Sequence, residues 1–178
     1  EACLSSVLKV CPYLTDLKYI CDYHTRSDTF KPLTEPREVS LESLALHDLK
    51  NATNILRPLT QSIGQSLHSL NIQCAKDMNI LVILKNCPNL VALKLRHNLL
   101  METATEVDSA TLNSVILKKL KILVVHGNQR ITYSPPKNEL KALLKSPTLT
   151  SIKLDFVVTL DNEVWNEAFT LHHFETLE

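Results

Sequence analysis

Apolar residues recur along this chain in a six-residue pattern, Leu-x-x-Leu-x-Leu, in which other aliphatic or aromatic residues also fill the apolar positions. The pattern occurs seven times, and its first positions are 23 to 30 residues apart. The copies are Leu14/Leu17/Tyr19, Leu41/Leu44/Leu46, Leu67/Leu70/Ile72, Leu90/Leu93/Leu95, Leu120/Leu123/Val125, Leu149/Ile152/Leu154 and Phe174/Leu177. Recurrence at this spacing is typical of a chain built from stacked repeats.

Each copy predicts one short strand, because its fourth and sixth positions are apolar and the residue between them is usually polar or small. Helical spacing of apolar residues predicts a helix between most pairs of strands. The predicted helices are 54–63, 77–85, 112–117, 136–145 and one capped by Asp161, with Leu4, Val7 and Leu8 ending a further one. Strands that alternate with helices favour an α/β fold with a parallel sheet.

Three of these helices meet the following strand through the same short sequence, in which a small residue and a proline precede the first leucine. The sequences are Cys11-Pro-Tyr-Leu14, Cys87-Pro-Asn-Leu90 and Ser146-Pro-Thr-Leu149. Proline ends the helix because it disfavours helical geometry in the residue before it and lacks an N–H. We interpret Cys11 and Cys87 as packing residues at a crowded junction, not as reactive thiols.

These motifs resemble the leucine-rich repeat superfamily over nearly all of the chain. Asn98 and Asn128 fill the ninth position, where that family has Asn or Cys, although other copies have Asp22, Leu49, Ala75 and Val157 there. The irregular spacing and the Cys-Pro-x-Leu sequence are similar to cysteine-containing, F-box-associated repeats or to ribonuclease-inhibitor-like repeats. The resemblance implies a single domain, 1–178, forming an arc of about seven repeats, with the parallel sheet on the concave face and helices on the convex face.

The chain begins inside a predicted helix and stops inside a predicted strand, so we expect it to be a fragment of a longer protein. The F-box, a helical module that docks on a ubiquitin-ligase scaffold in the family, is not visible in this sequence.

Residues between the leucines are expected to project from the concave face in columns. The middle of the arc would then combine amide groups, cations, an apolar patch and an imidazole. We predict partner binding there, by Asn71, Gln73, Lys94, Arg96, Ile122, Val124, His126 and Lys153. Mixed polar and apolar positions of this kind suit a protein or peptide ligand. Solvated positions on an exposed sheet would have a similar composition, and the convex helices are an alternative interface.

Composition excludes several function classes. The 178 residues contain 19 basic and 19 acidic side chains, so no global field favours nucleic acid or an anionic membrane. No apolar run reaches the length of a membrane span. The two glycines, Gly64 and Gly127, cannot form a P-loop or a dinucleotide-binding loop. No Cys/His spacing is typical of a zinc site and no catalytic triad is evident, so we expect neither enzymatic activity nor a metal or cofactor.

Three functional hypotheses follow. The first is an intracellular interaction domain, cytoplasmic or nuclear, because five scattered cysteines favour free thiols; family likeness suggests substrate recognition for a ubiquitin ligase. The second is an extracellular or receptor-type recognition domain, to which the sequon Asn51-Ala52-Thr53 would belong. The third is an enzyme or enzyme regulator that uses the segment 21–40, which lacks helical periodicity. We interpret that segment instead as a degenerate repeat without an outer helix.

Overall fold

The structure is a computed structural model, and it describes residues 2–21, 25–34, 40–75, 78–96, 117–126, 137–155, 166 and 176–177. Its centre is one parallel sheet in which strand order follows chain order throughout. The strands are β1 (Asp16–Ile20), β2 (Ser43–His47), β3 (Ser69–Gln73), β4 (Ala92–Arg96), β5 (Ile122–His126), β6 (Ser151–Asp155) and β7 (Thr176–Leu177). The fold is therefore α/β with a parallel sheet, as the pattern predicted.

The register of the sheet matches the alignment of the leucine pattern. Leu93 in β4 has Leu70 and Leu123 as its Cα partners, and all three side chains are fully buried. The same equivalence runs from Leu17 in β1 to Leu177 in β7. Because side chains alternate between faces of a strand, this register puts every second residue of each strand on one apolar face.

A second repeated feature is the turn that leads into four of the strands. The amide of each first leucine bonds to the carbonyl three residues earlier, at 3.2 to 3.3 Å. These bonds join Leu14 to Cys11, Leu90 to Cys87, Leu120 to Leu117 and Leu149 to Ser146. The junction inferred from the three proline-containing sequences thus recurs at Leu117–Leu120, which has no proline. The turn geometry depends on more than the proline.

Helices cover the apolar face of the sheet. They are α1 (Ala2–Val10), α2 (Lys31–Thr34), α3 (Ala52–Ile63), α4 (Ile80–Asn86) and α5 (Lys137–Leu144), and a 3₁₀ helix spans Ser27–Phe30. Buried residues of α3, α4 and α5 belong to the same hydrophobic cluster as the strand leucines. α4 is buried on all sides, since Ile80 to Leu84 are each at most 7% exposed.

The predicted helices agree with the structure in part. The predictions for 54–63 and 136–145 and the helix ending at Leu8 correspond to α3, α5 and α1. The prediction for 77–85 set the start too early, because Asn79 caps the helix and Ile80 is its first residue. Of the predicted helix 112–117 only Leu117 is described, and it is not helical. The predicted helix after Asp161, apart from Asn166, lies outside the described residues, as do Asn98 and Asn128.

The interpretation of the segment 21–40 as lacking an outer helix is wrong. The 3₁₀ helix and α2 both lie in this segment, and Phe30 and Leu33 are buried in the core. The Phe30 ring meets the Tyr19 ring edge-on, with centroids 5.2 Å apart. Two anchoring side chains are too few to create a helical period in the sequence, yet they suffice to fix a short helical segment against the sheet.

Polar side chains tie neighbouring turns together behind the strands. The Thr53 hydroxyl accepts a hydrogen bond from the Asn79 amide at 2.9 Å, and the Asn79 side chain accepts one from the Leu81 amide at 2.9 Å. Asn86 Nδ2 donates to the Thr60 hydroxyl at 3.1 Å. Each bond joins a residue of α3 to the α4 region or caps α4, so these residues position one turn on the next.

We expect Asn79→Ala to lower the free energy of unfolding by about 1 kcal/mol, because the first turn of α4 loses its cap. Urea denaturation followed by circular dichroism measures the change. Asn54→Ala is the matched control, since Asn54 is exposed on α3 and alanine favours helix there. Equal midpoints for Asn79→Ala and the unchanged protein would contradict the capping role.

Candidate functional site

The predicted binding residues lie on the face of the sheet opposite the buried leucines, which we call the outer face. It consists of the first, third and fifth residues of each five-residue strand, β1 to β6. In β2, β3 and β4 these positions are half-buried and alternate with fully buried ones. Alternation follows from strand geometry, which turns successive side chains to opposite faces.

All eight predicted residues lie together on four adjacent strands. Asn71, Lys94, Val124 and Lys153 form one row of consecutive Cα partners across the sheet. Gln73, Arg96 and His126 form the next row towards the strand ends. Ile122 lies one row the other way, paired with Ala92 and Ser151. Since neighbouring strands are about 4.8 Å apart, these residues make one continuous patch.

Not every residue of the patch is accessible to a partner, because the Val124 side chain is nearly covered. It is only 9% exposed, whereas Ile122 in the same strand is 37% exposed. Both Cα partners of Val124 are lysines, Lys94 and Lys153, and lysine stems commonly cover apolar surface beside them. A Val124→Asp change would therefore bury a carboxylate and is expected to destabilise the fold. Ile122 is the apolar side chain that a partner can reach.

Two polar atoms of the patch are buried and have no hydrogen-bond partner in the described part of the chain. They are Asn71 Oδ1, an acceptor on β3, and Arg96 Nε, a donor on β4. The residues are diagonal neighbours, because Arg96 lies two positions beyond Lys94, the Cα partner of Asn71. Buried polar atoms are nearly always paired in folded proteins, so two unpaired atoms on diagonal neighbours call for an explanation.

The patch carries positive charge. None of the outward residues of β2 to β5 is Asp or Glu, whereas β4 alone contributes Lys94 and Arg96. Acidic residues appear in outer-face positions of β1 and β6, namely Asp16 and Asp155, and Asp155 is the Cα partner of His126 at the margin of the patch. The charge of β4 is therefore not balanced within β2 to β5, although the whole chain is neutral.

Sequence reasoning missed a contact at the strand exits beside the patch. Asp48 and Cys74 directly follow β2 and β3, and both have left-handed backbones, with φ of 58° and 56°. Burial, then the charge of Asp48 and its hydrogen bond to the thiol, raise the pKa of Cys74. The thiol therefore stays protonated and is a poor nucleophile. An Asp after the strand is a weak signal for this conformation, and a Cys gives none.

The two junction cysteines, Cys11 and Cys87, differ in burial, so the packing interpretation holds for only one of them. Cys87 is fully buried, and burial raises the pKa of its thiol to about 12, which confirms the packing interpretation there. Cys11 is exposed, so that interpretation is wrong at the first junction. β1 is the edge strand of the described sheet, whereas β4 has a neighbour on each side. The same sequence is thus packed only where a second turn lies against it.

Within the described ranges, no group of His, Cys, Asp and Glu side chains is arranged to hold a metal ion. No helix there is both long and apolar enough to cross a membrane. What the patch offers is recognition chemistry: three cations, an unpaired acceptor, an unpaired donor and one exposed aliphatic side chain. No protein-family model matches the chain, and no curated protein matches it significantly.

Proposed function

We propose that this chain is a protein-interaction domain without catalytic activity, and that its outer face binds a protein or peptide ligand. The observation that carries the proposal is the pair of unpaired buried atoms, Asn71 Oδ1 and Arg96 Nε. An unpaired buried polar group costs about 1 to 3 kcal/mol. A ligand that supplies the missing donor and acceptor would recover part of this free energy on binding.

We further propose that the architecture is a leucine-rich-repeat solenoid in which the outer face is concave. Two features support this proposal: consecutive strands pair in the register of the leucine pattern, and the turn before the first leucine recurs four times. In such a solenoid the columns between the leucines form an extended binding surface. The likeness to F-box-associated repeats extends the proposal to substrate recognition for a ubiquitin-ligase adaptor.

The proposal places the domain inside the cell, in the cytoplasm or the nucleus. The four cysteines that the structure characterises, Cys11, Cys21, Cys74 and Cys87, are free thiols. Free thiols are typical of a reducing compartment, whereas an extracellular recognition domain of this size would more often pair its cysteines. This observation favours the intracellular hypothesis over the receptor-type one.

Charge reversal on the outer face tests the proposal. We expect Arg96→Glu to reduce ligand capture by at least about tenfold, because it places a carboxylate where the ligand's acceptor binds. Affinity capture from cells with the tagged protein, followed by quantitative mass spectrometry, measures the loss for each captured protein. Urea denaturation checks that folding is unchanged.

Arg57→Glu is the matched control, because Arg57 is an exposed arginine of α3, away from the outer face. Proteins lost with Arg96→Glu and kept with Arg57→Glu are outer-face ligands. The opposite pattern, with ligands lost only in the α3 variant, would refute the outer face as the binding surface. A ubiquitin-ligase scaffold among the captured proteins would support the adaptor role.

A further inference from the structure

The charge of the central strands restricts the ligand. Lys94 and Arg96 project from β4, and no outward residue of β2 to β5 carries a carboxylate. Neither cation forms an ion pair with any residue in the described part of the chain. The fork of an arginine side chain matches a carboxylate in geometry as well as in charge. This face is therefore complementary to an acidic ligand.

The neighbouring amide restricts the ligand further. Asn71 Oδ1 is an acceptor, and an acceptor-only group such as a carboxylate cannot satisfy it. A ligand that satisfies both atoms must carry an acceptor for Arg96 and a donor for Asn71. A peptide has N–H groups beside its carboxylates, whereas the phosphodiester backbone of a nucleic acid offers mainly acceptors. Both atoms together favour a peptide over a polyphosphate.

An apolar position lies at a fixed separation from these groups. Ile122 is exposed and has small residues, Ala92 and Ser151, on both sides, so a partner side chain can reach it. Ile122 is level with Ala92, and Arg96 lies four residues further along β4. At about 3.3 Å per residue this separation is about 13 Å, the length of four residues of an extended peptide. Lys94 lies midway.

We propose that the outer face of β3–β5 binds an acidic segment of a partner protein, in which an Asp or Glu lies two to four residues from an apolar residue. The carboxylate pairs with Arg96 or Lys94, an N–H of the segment donates to Asn71 Oδ1, and the apolar side chain packs on Ile122. The inference deepens the proposed function and rests on it. It adds the chemical class of the ligand and the spacing of its recognition groups.

Selection from a displayed library of short random peptides on the purified chain tests this inference. We expect the recovered peptides to contain an acidic residue at that spacing from an apolar one. Fluorescence polarisation with the synthetic peptides should show affinity at least about tenfold lower for Arg96→Gln and about fivefold lower for Asn71→Leu. Arg57→Gln is the control and should bind as the unchanged protein does.

A double-mutant cycle separates the proposed pairing from a general loss of binding. Changing the peptide's acidic residue to its amide should weaken binding to the unchanged protein about as much as Arg96→Gln does. It should cause little further loss in the Arg96→Gln variant, because the two groups act as a pair. Independent, additive losses would overturn the pairing.

The outcomes distinguish the inference from the proposed function. One outcome would be neutral or basic peptides whose affinity falls with Ile122→Ser but does not change with Arg96→Gln. Such peptides would overturn the proposal that the ligand is acidic, but they would leave the proposed function standing. Peptides that respond only to Arg57→Gln would overturn both, whereas recovery of no peptide would overturn the inference alone. A single-stranded nucleic acid that binds more tightly than every acidic peptide and is lost with Arg96→Gln would overturn the peptide as ligand.

Discussion

Leu93→Ala is expected to lower the free energy of unfolding by about 2 to 5 kcal/mol. Leu93 is fully buried in β4, and its neighbours in the sheet, Leu70 and Leu123, are fully buried as well. Because strands lie on both sides, the surroundings cannot collapse easily into the cavity that the shorter side chain leaves. The urea midpoint should fall while the denaturant slope stays constant.

Ile122→Ala is the control for this prediction, since it removes a side chain of the same size from the outer face of the next strand. Ile122 is 37% exposed, so its truncation creates no closed cavity and should cost at most about 1 kcal/mol through lost strand propensity. A similar loss in both variants would show that the two faces of the sheet do not differ in packing. That result would contradict the burial on which the outer face is defined.

The strands and their register could be predicted because burial imposes a strict condition on sequence. A shift of one residue would turn Leu93 outward and Lys94 into the core, so the leucine spacing admits one alignment. Burial constrains the sequence of short elements much less. Phe30 and Leu33 hold the 3₁₀ helix and α2 in place, but two apolar residues three apart occur in many sequences. Their importance depends on Tyr19, which is distant along the chain.

The location of the candidate site could also be predicted, but the burial and hydrogen bonding of its side chains could not. Alternation puts Asn71, Arg96 and Val124 on the outer face irrespective of their neighbours. Whether Val124 is covered depends on the lysines of the two adjacent strands. Whether Asn71 Oδ1 and Arg96 Nε find a partner depends on the geometry of side chains across the sheet. These are properties of three-dimensional neighbours, which one strand's sequence does not specify.

The junction between helix and strand provides a further case, because the position three residues before the first leucine is crowded in several turns. Cys87 and Ser146 are fully buried there, and the Ser146 hydroxyl donates to the carbonyl oxygens of Leu117 and Leu120 at 2.6 and 2.9 Å. Gly64 has the same position before Leu67, although no proline follows it. Cys87, Ser146 and Gly64 share a small side chain at this position, whereas Leu117 occupies it before Leu120.

Gly64→Ala is therefore expected to lower the free energy of unfolding by about 1 to 3 kcal/mol. The Gly64 backbone is right-handed helical, with φ of −62° and ψ of −27°, so alanine is allowed there by conformation. At such a site Gly→Ala would ordinarily stabilise a protein by about 0.4 to 1 kcal/mol, because it restricts the unfolded chain. Here an added Cβ would collide with the carbonyl oxygens of Asn86 and Thr60.

Whether Gly64→Ala raises or lowers the free energy of unfolding distinguishes restriction of the unfolded chain from collision of the added Cβ. Asn86 is the last residue of α4, so α3 and α4 would have to move apart to relieve that collision, which strains the contact that stacks one turn on the next. Thr60 belongs to α3, so the end of α3 would also have to distort. Gln61→Ala is the control, as Gln61 is exposed in the last turn of α3 and should tolerate alanine without loss. A higher urea midpoint for Gly64→Ala would mean that the turns have room to separate, and close stacking could not then explain the small residue at this junction.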